Sequence, residues 1–341
     1  MSVTRCRSRS VYLGAVLALL SAAYLALTGY YGLYVNLLSD DGAVGGFSPG
    51  GNLLDYCLQL GLIPEKDAIH VTWAHGANSL REMEEALRGP AMVLEADVTV
   101  EGLNTQNQTN VPIMAHPPAI YSDNTLQHWL NTVTQSQKGI KLDFKSLESL
   151  SPSLDILTAA DSQNQINQPV WLNADILRGP NVPNFVQPVN ASRFLALVQE
   201  KFPTVTVSPG WLTLYVPLLA VKPYTQLMVE EMAALVRDLP QRITFPVRAV
   251  LLRASWLHFS WLLSQSPRYS LTLWQGEADP ITVEDLLFIR EHSDPQQIYY
   301  DIYEPVLSEF KNIALHGNRD SLRTGTGSKP SGLRSRAETQ T

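Results

Sequence analysis

Strand-like and helix-like patterns alternate eight times between residues 69 and 315, and this alternation limits the folds that are open to the chain. Each strand pattern is a short apolar run, and a stretch with helical spacing of apolar residues follows it. The predicted strands are Ile69–Ala74, Met92–Val100, Ile140–Phe144, Val170–Ile176, Thr204–Ser208, Ala249–Ala254, Ser270–Trp274 and Ile298–Tyr303. Eight such units in about 250 residues predict a (β/α)8 barrel of the TIM type. An open doubly wound sheet is the main alternative, but no Gly-x-Gly-x-x-Gly follows the first strand.

A long uncharged segment precedes these units. Val11–Leu38 contains no Asp, Glu, Lys, Arg or His, and roughly 20 apolar residues are enough to cross a bilayer. Three arginines lie before the segment, and Asp40 and Asp41 follow it. This asymmetry places residues 1–10 in the cytoplasm and the rest outside the cell or in a lumen. We therefore interpret Val11–Leu38 as the uncleaved signal anchor of a single-pass membrane protein, whereas cleavage would make the domain secreted.

Composition predicts the remaining boundaries. Residues 39–55 are rich in glycine and are predicted as a linker, residues 56–316 form the barrel, and the polar residues 317–341 are predicted as a disordered tail. The formal net charge of −7 argues against a nucleic-acid partner.

Cysteine usage and two sequons fit an exported domain. The chain has two cysteines, and the predicted membrane segment separates Cys6 from Cys57. The domain is therefore expected to fold without an internal disulfide. Asn107 and Asn190 begin N-glycosylation sequons in predicted loops.

Two neighbouring predicted strands carry carboxylates, and we expect these side chains to lie on one face of the sheet. Glu95 and Asp97 are two residues apart in the second strand, so their side chains point to one side, and Asp143 lies in the third strand. In a parallel sheet covered by helices, the face turned away from the helices is a protein interior, where carboxylates need a cation or hydrogen bonds. These three residues therefore suit a hard cation, Mg²⁺ or Ca²⁺. Alternatively, Lys141 and Lys145 neutralise them in a salt-bridge network without a metal.

Other polar side chains recur at the carboxyl ends of the predicted strands, where active sites lie in barrels of this kind. These candidates are His75, His116, Asn173, Asp175, Arg253 and Trp274. His116 follows Val111–Ala115, a predicted extension of the second strand. Two histidines beside a metal-bound phosphate would form an acid–base pair, because imidazole titrates near neutral pH. Arg253 is expected either to face phosphate or to pair with an acid of the barrel.

Six ordered motifs resemble those of the menorin family, and they span Ile69 to Tyr303. They are His75-Gly-Ala-Asn78-Ser79, Leu94-Glu95-Ala-Asp97-Val, Pro112-Ile-Met-Ala-His116-Pro-Pro118, Lys141-Leu-Asp143-Phe-Lys145-Ser146, Trp171-Leu-Asn173-Ala-Asp175 and Ser270-Leu-Thr-Leu-Trp274. Menorins are remotely similar to the barrel phosphodiesterases that include glycerophosphodiester phosphodiesterases and sphingomyelinase D.

The wider resemblance implies a role for each matching residue. His75 and His116 match the catalytic histidines, and the carboxylate trio matches the metal ligands. Lys145 matches a phosphate-contacting lysine, and Trp274 matches a tryptophan of the substrate cavity. The His75-x-x-Asn78 form resembles sphingomyelinase D, which adds Asn78 to the substrate-binding candidates.

The resemblance implies two functions of different classes. One is a metal-dependent phosphodiesterase site acting on a lipid-like or other phosphodiester, in which one histidine deprotonates the attacking hydroxyl and the other protonates the leaving oxygen. The other is a non-catalytic extracellular recognition module, since menorin is a partner of neuronal adhesion molecules and receptors. An enzyme is expected to have an open polar mouth, and a docking module is expected to have an exposed apolar patch.

Overall fold

The computed structural model describes residues 47–217 and 221–323, so the predicted membrane segment lies outside the described residues. No helix in these two ranges is both long and apolar enough to cross a bilayer. Nine strands in the same ranges form one sheet: β1 (Trp73–Ala74), β2 (Val93–Val100), β3 (Pro112–Met114), β4 (Gly139–Phe144), β5 (Val170–Arg178), β6 (Thr206–Leu212), β7 (Ile243–Arg248), β8 (Tyr269–Trp274) and β9 (Ile298–Asp301).

Eight of these strands are parallel neighbours in the order β1-β2-β4-β5-β6-β7-β8-β9, and the short β3 pairs antiparallel with β2. The sheet curls into a nearly closed barrel, with a seam between its first strand, β1, and its last strand, β9. Ala68 N–H crosses the seam region and donates to Pro295 O at 3.0 Å. This is the barrel of alternating strands and helices that the sequence predicts, and it is consistent with a TIM barrel.

Helices follow most of the strands. They are α1 (Leu53–Gln59), α2 (Leu80–Arg88), α3 (Leu126–Val133), α4 (Leu147–Ser162), α5 (Ala191–Lys201), α6 (Gln226–Val236), α7 (Ala249–Leu252), α8 (Trp256–Ser264), α9 (Val283–Glu291) and α10 (Val306–Arg323), with 3₁₀ turns at Ala68–His70 and Arg253–Ser255. Local sequence begins them: Ser79 and Glu82 form a capping box at α2, and a side-chain cap of this kind contributes about 1 kcal/mol.

The side chains of β2 explain how one strand serves both the core and the site. Leu94, Ala96 and Val98 point outward into the main core between the sheet and the helices. The alternate residues point into the barrel, because strand side chains alternate between faces. Val93 is the first of these, and Glu95 and Asp97 follow it toward the carboxyl end.

Helix α1 closes the amino-terminal end of the barrel. Leu54 and Cys57 of α1 pack against Trp171 and Tyr299, which point into the barrel from β5 and β9. Each fully buried Leu side chain of this kind contributes roughly 1.5 to 3 kcal/mol. Cys57 is a free, buried cysteine, and Cys6 lies outside the described residues.

Four predicted elements differ from the structure. Helix α1 begins at Leu53, inside the predicted linker, and α10 continues to Arg323, into the predicted tail. The first predicted strand, Ile69–Ala74, is a 3₁₀ turn followed by the two-residue β1. The Asp67 side chain accepts from Ile69 N and stabilises that turn.

The sixth predicted strand, Ala249–Ala254, is wrong. Its first four residues form helix α7 and Arg253 begins a 3₁₀ turn, whereas the strand is β7, Ile243–Arg248. Pro246 lies in the middle of β7 and has no N–H to donate, so this segment does not have a typical strand pattern. The apolar run that follows it is helical.

Candidate functional site

A cavity of about 250 Å³ opens at the carboxyl ends of the strands, on the opposite side of the barrel from α1. Eight predicted site residues line it: His75, Asp97, His116, Asp143, Lys145, Asn173, Asp175 and Trp274. The other lining residues are Lys141, Leu212, Thr213 and Pro246. The site is therefore built from β2, β4, β5, β6, β7 and β8 and the segments that follow β1 and β3.

The carboxylates of Glu95, Asp97 and Asp143 meet beside this cavity. Asp97 and Asp143 are directly opposite each other in the β2–β4 ladder. One oxygen of each of the three side chains lies within 4.8 Å of the others. Gly76 adopts φ of 70°, a left-handed conformation that glycine tolerates, and its N–H donates to Glu95 Oε2 at 2.8 Å.

Lys145 compensates two of these carboxylates. Its Nζ lies 2.6 Å from Asp143 Oδ2 and 3.0 Å from Asp97 Oδ1. Burial would raise the pKa of Asp143, but the charges of Lys145 and Lys141 and hydrogen bonds from Lys145 and Asn173 lower it to about 2. The salt-bridge network predicted as the alternative to a metal is thus present at Asp97 and Asp143.

Glu95 is not compensated in the same way. Burial raises its pKa above the usual value, and the neighbouring charges of Asp97 and Asp143 raise it further against the opposing effect of His75 and Lys141. The His75 ring is 3.7 Å from Glu95 Oε2, so Glu95 has a neighbouring base but no ion pair as short as those that Lys145 makes. Three convergent carboxylates, one of them under-compensated, fit a hard divalent cation such as Mg²⁺ or Ca²⁺.

His75 follows β1 and contacts two acids. Its Nδ1 lies 2.8 Å from Asp301 Oδ2 and 3.7 Å from Glu95 Oε2. The charge of Glu95 raises the pKa of His75 to about 9, with burial opposing and the hydrogen bond and charge of Asp301 reinforcing the shift. His75 is therefore an imidazolium at neutral pH, and its side chain is 40% exposed.

His116 reaches the cavity because β3 folds back on β2, and Ala115 N–H donates to Asp97 O at 3.0 Å. His116 Nδ1 lies 2.6 Å from Pro117 O. A carbonyl oxygen can only accept, so Nδ1 carries the proton and a neutral His116 has its lone pair on Nε2. The imidazolium of His75 can therefore donate a proton, whereas a neutral His116 can accept one at Nε2.

Two asparagines that were predicted to bind substrate form hydrogen bonds with carboxylates of the site. Asn78 Nδ2 donates to Asp97 Oδ2 at 2.9 Å, and Asn78 Oδ1 accepts from Asp97 N at 2.7 Å. Asn173 Nδ2 donates to Asp143 Oδ1 at 2.7 Å, and its Oδ1 accepts from Ser208 Oγ at 2.6 Å. Both asparagines therefore hold the carboxylates of Asp97 and Asp143 in position.

Asp175 faces the cavity next to Gly210. A Cβ atom at residue 210 would lie 2.4 Å from Asp175 Oδ1, so the absence of a side chain there makes room for the carboxylate. Burial raises the pKa of Asp175 to about 6, and the charge of Asp143 adds to this against Lys145 and Lys141.

Arg253 does not lie at the cavity, and its prediction as a site residue is wrong. It is exposed and pairs with Glu284 at 3.2 Å and Asp285 at 3.0 Å on α9. The error follows from the misplaced sixth strand, since the carboxyl end of that strand is Arg248. Asp301 lies at the end of the last predicted strand, and the structure gives it a role that the sequence does not assign, because its carboxylate pairs with His75.

Arg248 supports the wall of the cavity. Its guanidinium donates to both oxygens of Asp279, at 2.7 and 2.8 Å, and its Cζ lies 5.0 Å from the centroid of the Trp274 ring. Trp274 is thereby held between the cavity and a fixed cation. A strand prediction that allowed a proline at position 246 would have ended at Arg248 and would have placed this arginine at the cavity wall.

Both sequon asparagines are exposed. Asn190 is the N-cap of α5, and its Oδ1 accepts from Arg193 N at 3.0 Å. The cap uses the side-chain oxygen and leaves Nδ2, the atom to which a glycan is attached, available. Glycosylation at Asn107 and Asn190 stays a prediction.

Solved structures resemble the barrel only distantly. A 2,3-dimethylmalate lyase matches with a TM-score of 0.40 and 10% identity, covering 81% of this chain and 89% of that one. A GH18 chitinase from Pseudoalteromonas aurantia matches with a TM-score of 0.41 and 15% identity, covering 72% and 98%. Such low scores support neither a shared activity nor a detailed likeness.

Sequence comparisons are far more specific. The Menorin N-terminal domain model matches residues 67–307, which include every residue of the cavity lining. Human Protein FAM151B is 46% identical over 260 residues, which cover 76% of this chain and 92% of that protein. The resemblance that the six motifs indicate is confirmed, and the chain belongs to the menorin family.

Proposed function

We propose that this protein cleaves phosphodiesters at the cavity, as a metal-dependent enzyme of the phosphodiesterase barrel type. One observation carries the proposal: four of the candidate residues line a single cavity, and the Glu95 carboxylate meets those of Asp97 and Asp143 beside it. The four lining residues are His75, Asp97, His116 and Asp143. Glu95, Asp97 and Asp143 would hold Mg²⁺ or Ca²⁺, which would neutralise charge on the phosphate oxygens.

The partners of the two Nδ1 atoms suggest the roles of the histidines. The contact of Nδ1 with Pro117 O leaves Nε2 of a neutral His116 free to accept a proton, which suits the general base that takes the proton of the attacking hydroxyl. His75 is bonded through Nδ1 to the Asp301 carboxylate, which favours the imidazolium, so the Nε2–H of His75 is the general acid. Such a division of roles between two groups in different surroundings is typical of acid–base pairs.

In the proposed step, a hydroxyl oxygen forms a bond to phosphorus, and the bond from phosphorus to the leaving oxygen breaks. His116 takes the proton of the attacking hydroxyl, and His75 gives a proton to the leaving oxygen. Water as the attacker would yield a phosphomonoester. A hydroxyl within the substrate would yield a cyclic phosphate.

The cavity walls suit a substrate with a charged and an apolar part. Lys145 offers a cation for a phosphate oxygen on one side. Leu212, Pro246 and Trp274 form an apolar surface on the other side. This arrangement supports a lipid-like phosphodiester as well as other phosphodiesters that carry an apolar group.

The test is an assay of the full chain against a panel of phosphodiesters, with Mg²⁺, with Ca²⁺ and with a chelator. His75→Ala and His116→Ala should each lower turnover by about 10²- to 10⁴-fold, as expected for loss of a general acid or base. Their melting temperatures should change little, because both side chains are exposed at the mouth. His128→Ala is the matched control, since His128 is exposed on α3 and lies outside the cavity lining.

Wild-type turnover in both histidine variants would contradict the catalytic roles. If no phosphodiester is cleaved under any metal condition, the non-catalytic recognition module becomes the better proposal. Its partner would then be an extracellular adhesion protein or receptor, and binding to such a protein would be the next measurement.

We further propose that Val11–Leu38 anchors the domain on the non-cytoplasmic side of a membrane. The arginines before this segment and the acids after it support that orientation. Protease protection of the domain in intact microsomes and glycans at Asn107 or Asn190 are the expected results. A protease-accessible domain without glycans would contradict the topology.

A further inference from the structure

One lysine of the cavity lining has no role in the mechanism proposed above. Lys141 lies in β4, two residues before Asp143 and directly opposite Glu95 in the β2–β4 ladder. Its side chain points into the barrel, because its neighbours Ile140 and Leu142 pack in the main core on the other face of the sheet. Lys141 is 3% exposed. It lines the cavity, so the small exposed part of its side chain faces that space.

The Nζ atom of Lys141 has no hydrogen-bond or ion-pair partner within residues 47–217 and 221–323. It lies 5.9 Å from the centroid of the Trp73 ring, which is near the outer limit of a cation–π contact. An aromatic ring does not replace the three hydrogen bonds that an ammonium can donate. A buried charge without hydrogen bonds is costly, so this atom is expected to meet a further acceptor in the cavity.

Lys145, the lysine that the family resemblance assigns to phosphate, is already engaged. Its Nζ lies 2.6 Å from Asp143 Oδ2 and 3.0 Å from Asp97 Oδ1. A phosphate oxygen that approaches Lys145 therefore competes with two carboxylates for its N–H groups. Lys141 has no such competitor among the described residues. The N–H groups that are available to an incoming anion are thus those of Lys141.

Aromatic rings at the bottom of the cavity surround the stem of Lys141. Lys141 is opposite Trp171 in the β4–β5 ladder. The ring centroids of Trp73 and Trp171 lie 5.3 Å apart, and those of Trp73 and Tyr299 lie 6.3 Å apart. A lysine stem that packs on apolar rings keeps its charged head on the polar side. On this side of the rings lie the cavity and the carboxylate trio.

We propose that Lys141 binds a nonbridging oxygen of the substrate's phosphate group from the bottom of the cavity. The inference rests on the proposed function for its ligand, since a phosphodiester is the anion that the cavity would receive. Lys141 donates hydrogen bonds to one phosphate oxygen, and Lys145, four residues later in the chain, lies nearer the mouth. Charge-assisted hydrogen bonds of this kind are stronger than neutral ones. The contact binds the phosphate group whether or not the diester is then cleaved.

The test measures the binding of inorganic phosphate to the full chain by isothermal titration calorimetry, with Mg²⁺ present. Lys141→Met keeps an apolar stem of similar length and removes the charge. It should weaken phosphate binding by about 10- to 100-fold, which is the loss expected for a hydrogen bond to a charged group. Binding of Mg²⁺ is titrated separately for each variant, so a change in cation affinity is not mistaken for a change in phosphate affinity.

Lys138→Met is the matched control. Lys138 lies outside the cavity lining, and its Nζ donates to Gly89 O at 2.9 Å and to Ala91 O at 2.5 Å. These carbonyls precede β2, at the amino-terminal end of the barrel. The control should therefore bind phosphate as the wild type does. Circular dichroism and melting temperature establish that each variant is folded.

Wild-type phosphate affinity in a folded Lys141→Met variant would overturn the inference. If that variant also binds Mg²⁺ differently, Lys141 only compensates the charge of the carboxylate trio. If Lys141→Met does not fold, a crystal structure of the wild-type full chain with phosphate is the second measurement. A phosphate oxygen within roughly 2.7 to 3.2 Å of Lys141 Nζ would support the inference. A cavity without phosphate, or phosphate bound without this contact, would overturn it.

Failure of this inference and failure of the proposed function give different results. Loss of phosphate binding in Lys141→Met, together with no cleavage of any phosphodiester by the wild type, would support the contact and reject the enzyme. Cleavage by the wild type, together with unchanged phosphate binding in Lys141→Met, would reject only the contact.

Discussion

His75 Nδ1 lies 2.8 Å from Asp301 Oδ2, and this contact joins the residue after β1 to the end of β9. β1 and β9 are the two strands at the ends of the sheet. The two residues are 226 positions apart in the chain. The contact that orients a candidate catalytic histidine therefore also crosses the seam of the barrel. The Asp301 side chain is 8% exposed, so its carboxylate acts on His75 with little screening by water.

Asp301→Asn should lower the pKa of His75 from about 9, because the variant removes the Asp301 charge and weakens its hydrogen bond. An imidazolium that acts as a general acid is lost as pH rises through its pKa, so the alkaline limb of the pH–rate profile should move to lower pH. Nuclear magnetic resonance titration of His75 measures the same shift directly. An unchanged His75 titration in Asp301→Asn would contradict this account of the contact.

Addition of Mg²⁺ or Ca²⁺ should raise the melting temperature of the full chain. A cation that binds only the folded state stabilises it by about 2.7 kcal/mol at a hundredfold excess over its dissociation constant. Glu95→Gln and Asp143→Asn should abolish the increase, because each removes a carboxylate of the convergent trio.

Glu65→Gln is the control for the cation measurement. Glu65, Asp67 and His70 form another acidic group with metal-ligand spacing, but Arg290 binds both oxygens of Asp67. Loss of the cation effect in Glu65→Gln, with retention in Glu95→Gln, would place the cation at the wrong end of the barrel and contradict the proposed site.

Asp175→Asn should stabilise the protein at pH 7 in the presence of a chelator. Burial raises the pKa of Asp175 from 3.8 in the unfolded chain to about 6 in the folded one. A raised pKa contributes stability below pH 3.8, and that contribution is lost as pH rises through 6. At pH 7 the wild type holds a buried charge that Asn lacks, which is worth on the order of 1 to 3 kcal/mol. Chemical denaturation at pH 7 and pH 4 measures this, and an Asn variant that is less stable at pH 7 would contradict it.

Arg248→Met should destabilise the protein by roughly 3 to 5 kcal/mol, because it leaves the fully buried Asp279 carboxylate without its cation. Arg253→Met is the matched control. Its partners lie on an exposed helix surface, and the substitution should change the melting temperature little. Equal effects of the two substitutions would show that Arg248 is not a structural support of the cavity wall.

The local sequence pattern was sufficient to predict the barrel fold and most of the residues that line the cavity. Side chains of a strand alternate between two faces, so the spacing of Glu95 and Asp97 already placed both on one face. The short helix between their strand and that of Asp143 made the two strands parallel neighbours. The register that sets Asp97 opposite Asp143 was supplied by the structure.

Tertiary structure decided which polar residues meet across the barrel. Arg253 and Arg248 are five residues apart, and only the end of β7 determines which of them reaches the cavity wall. Asp301 pairs with His75 because closure of the barrel brings the first and last strands together. A local pattern of residues carries no information about a contact between positions that are 226 residues apart. Helix α1 fills the amino-terminal end of the barrel because Trp171 and Tyr299 form an apolar floor there. That floor exists only once the strands have curled around it.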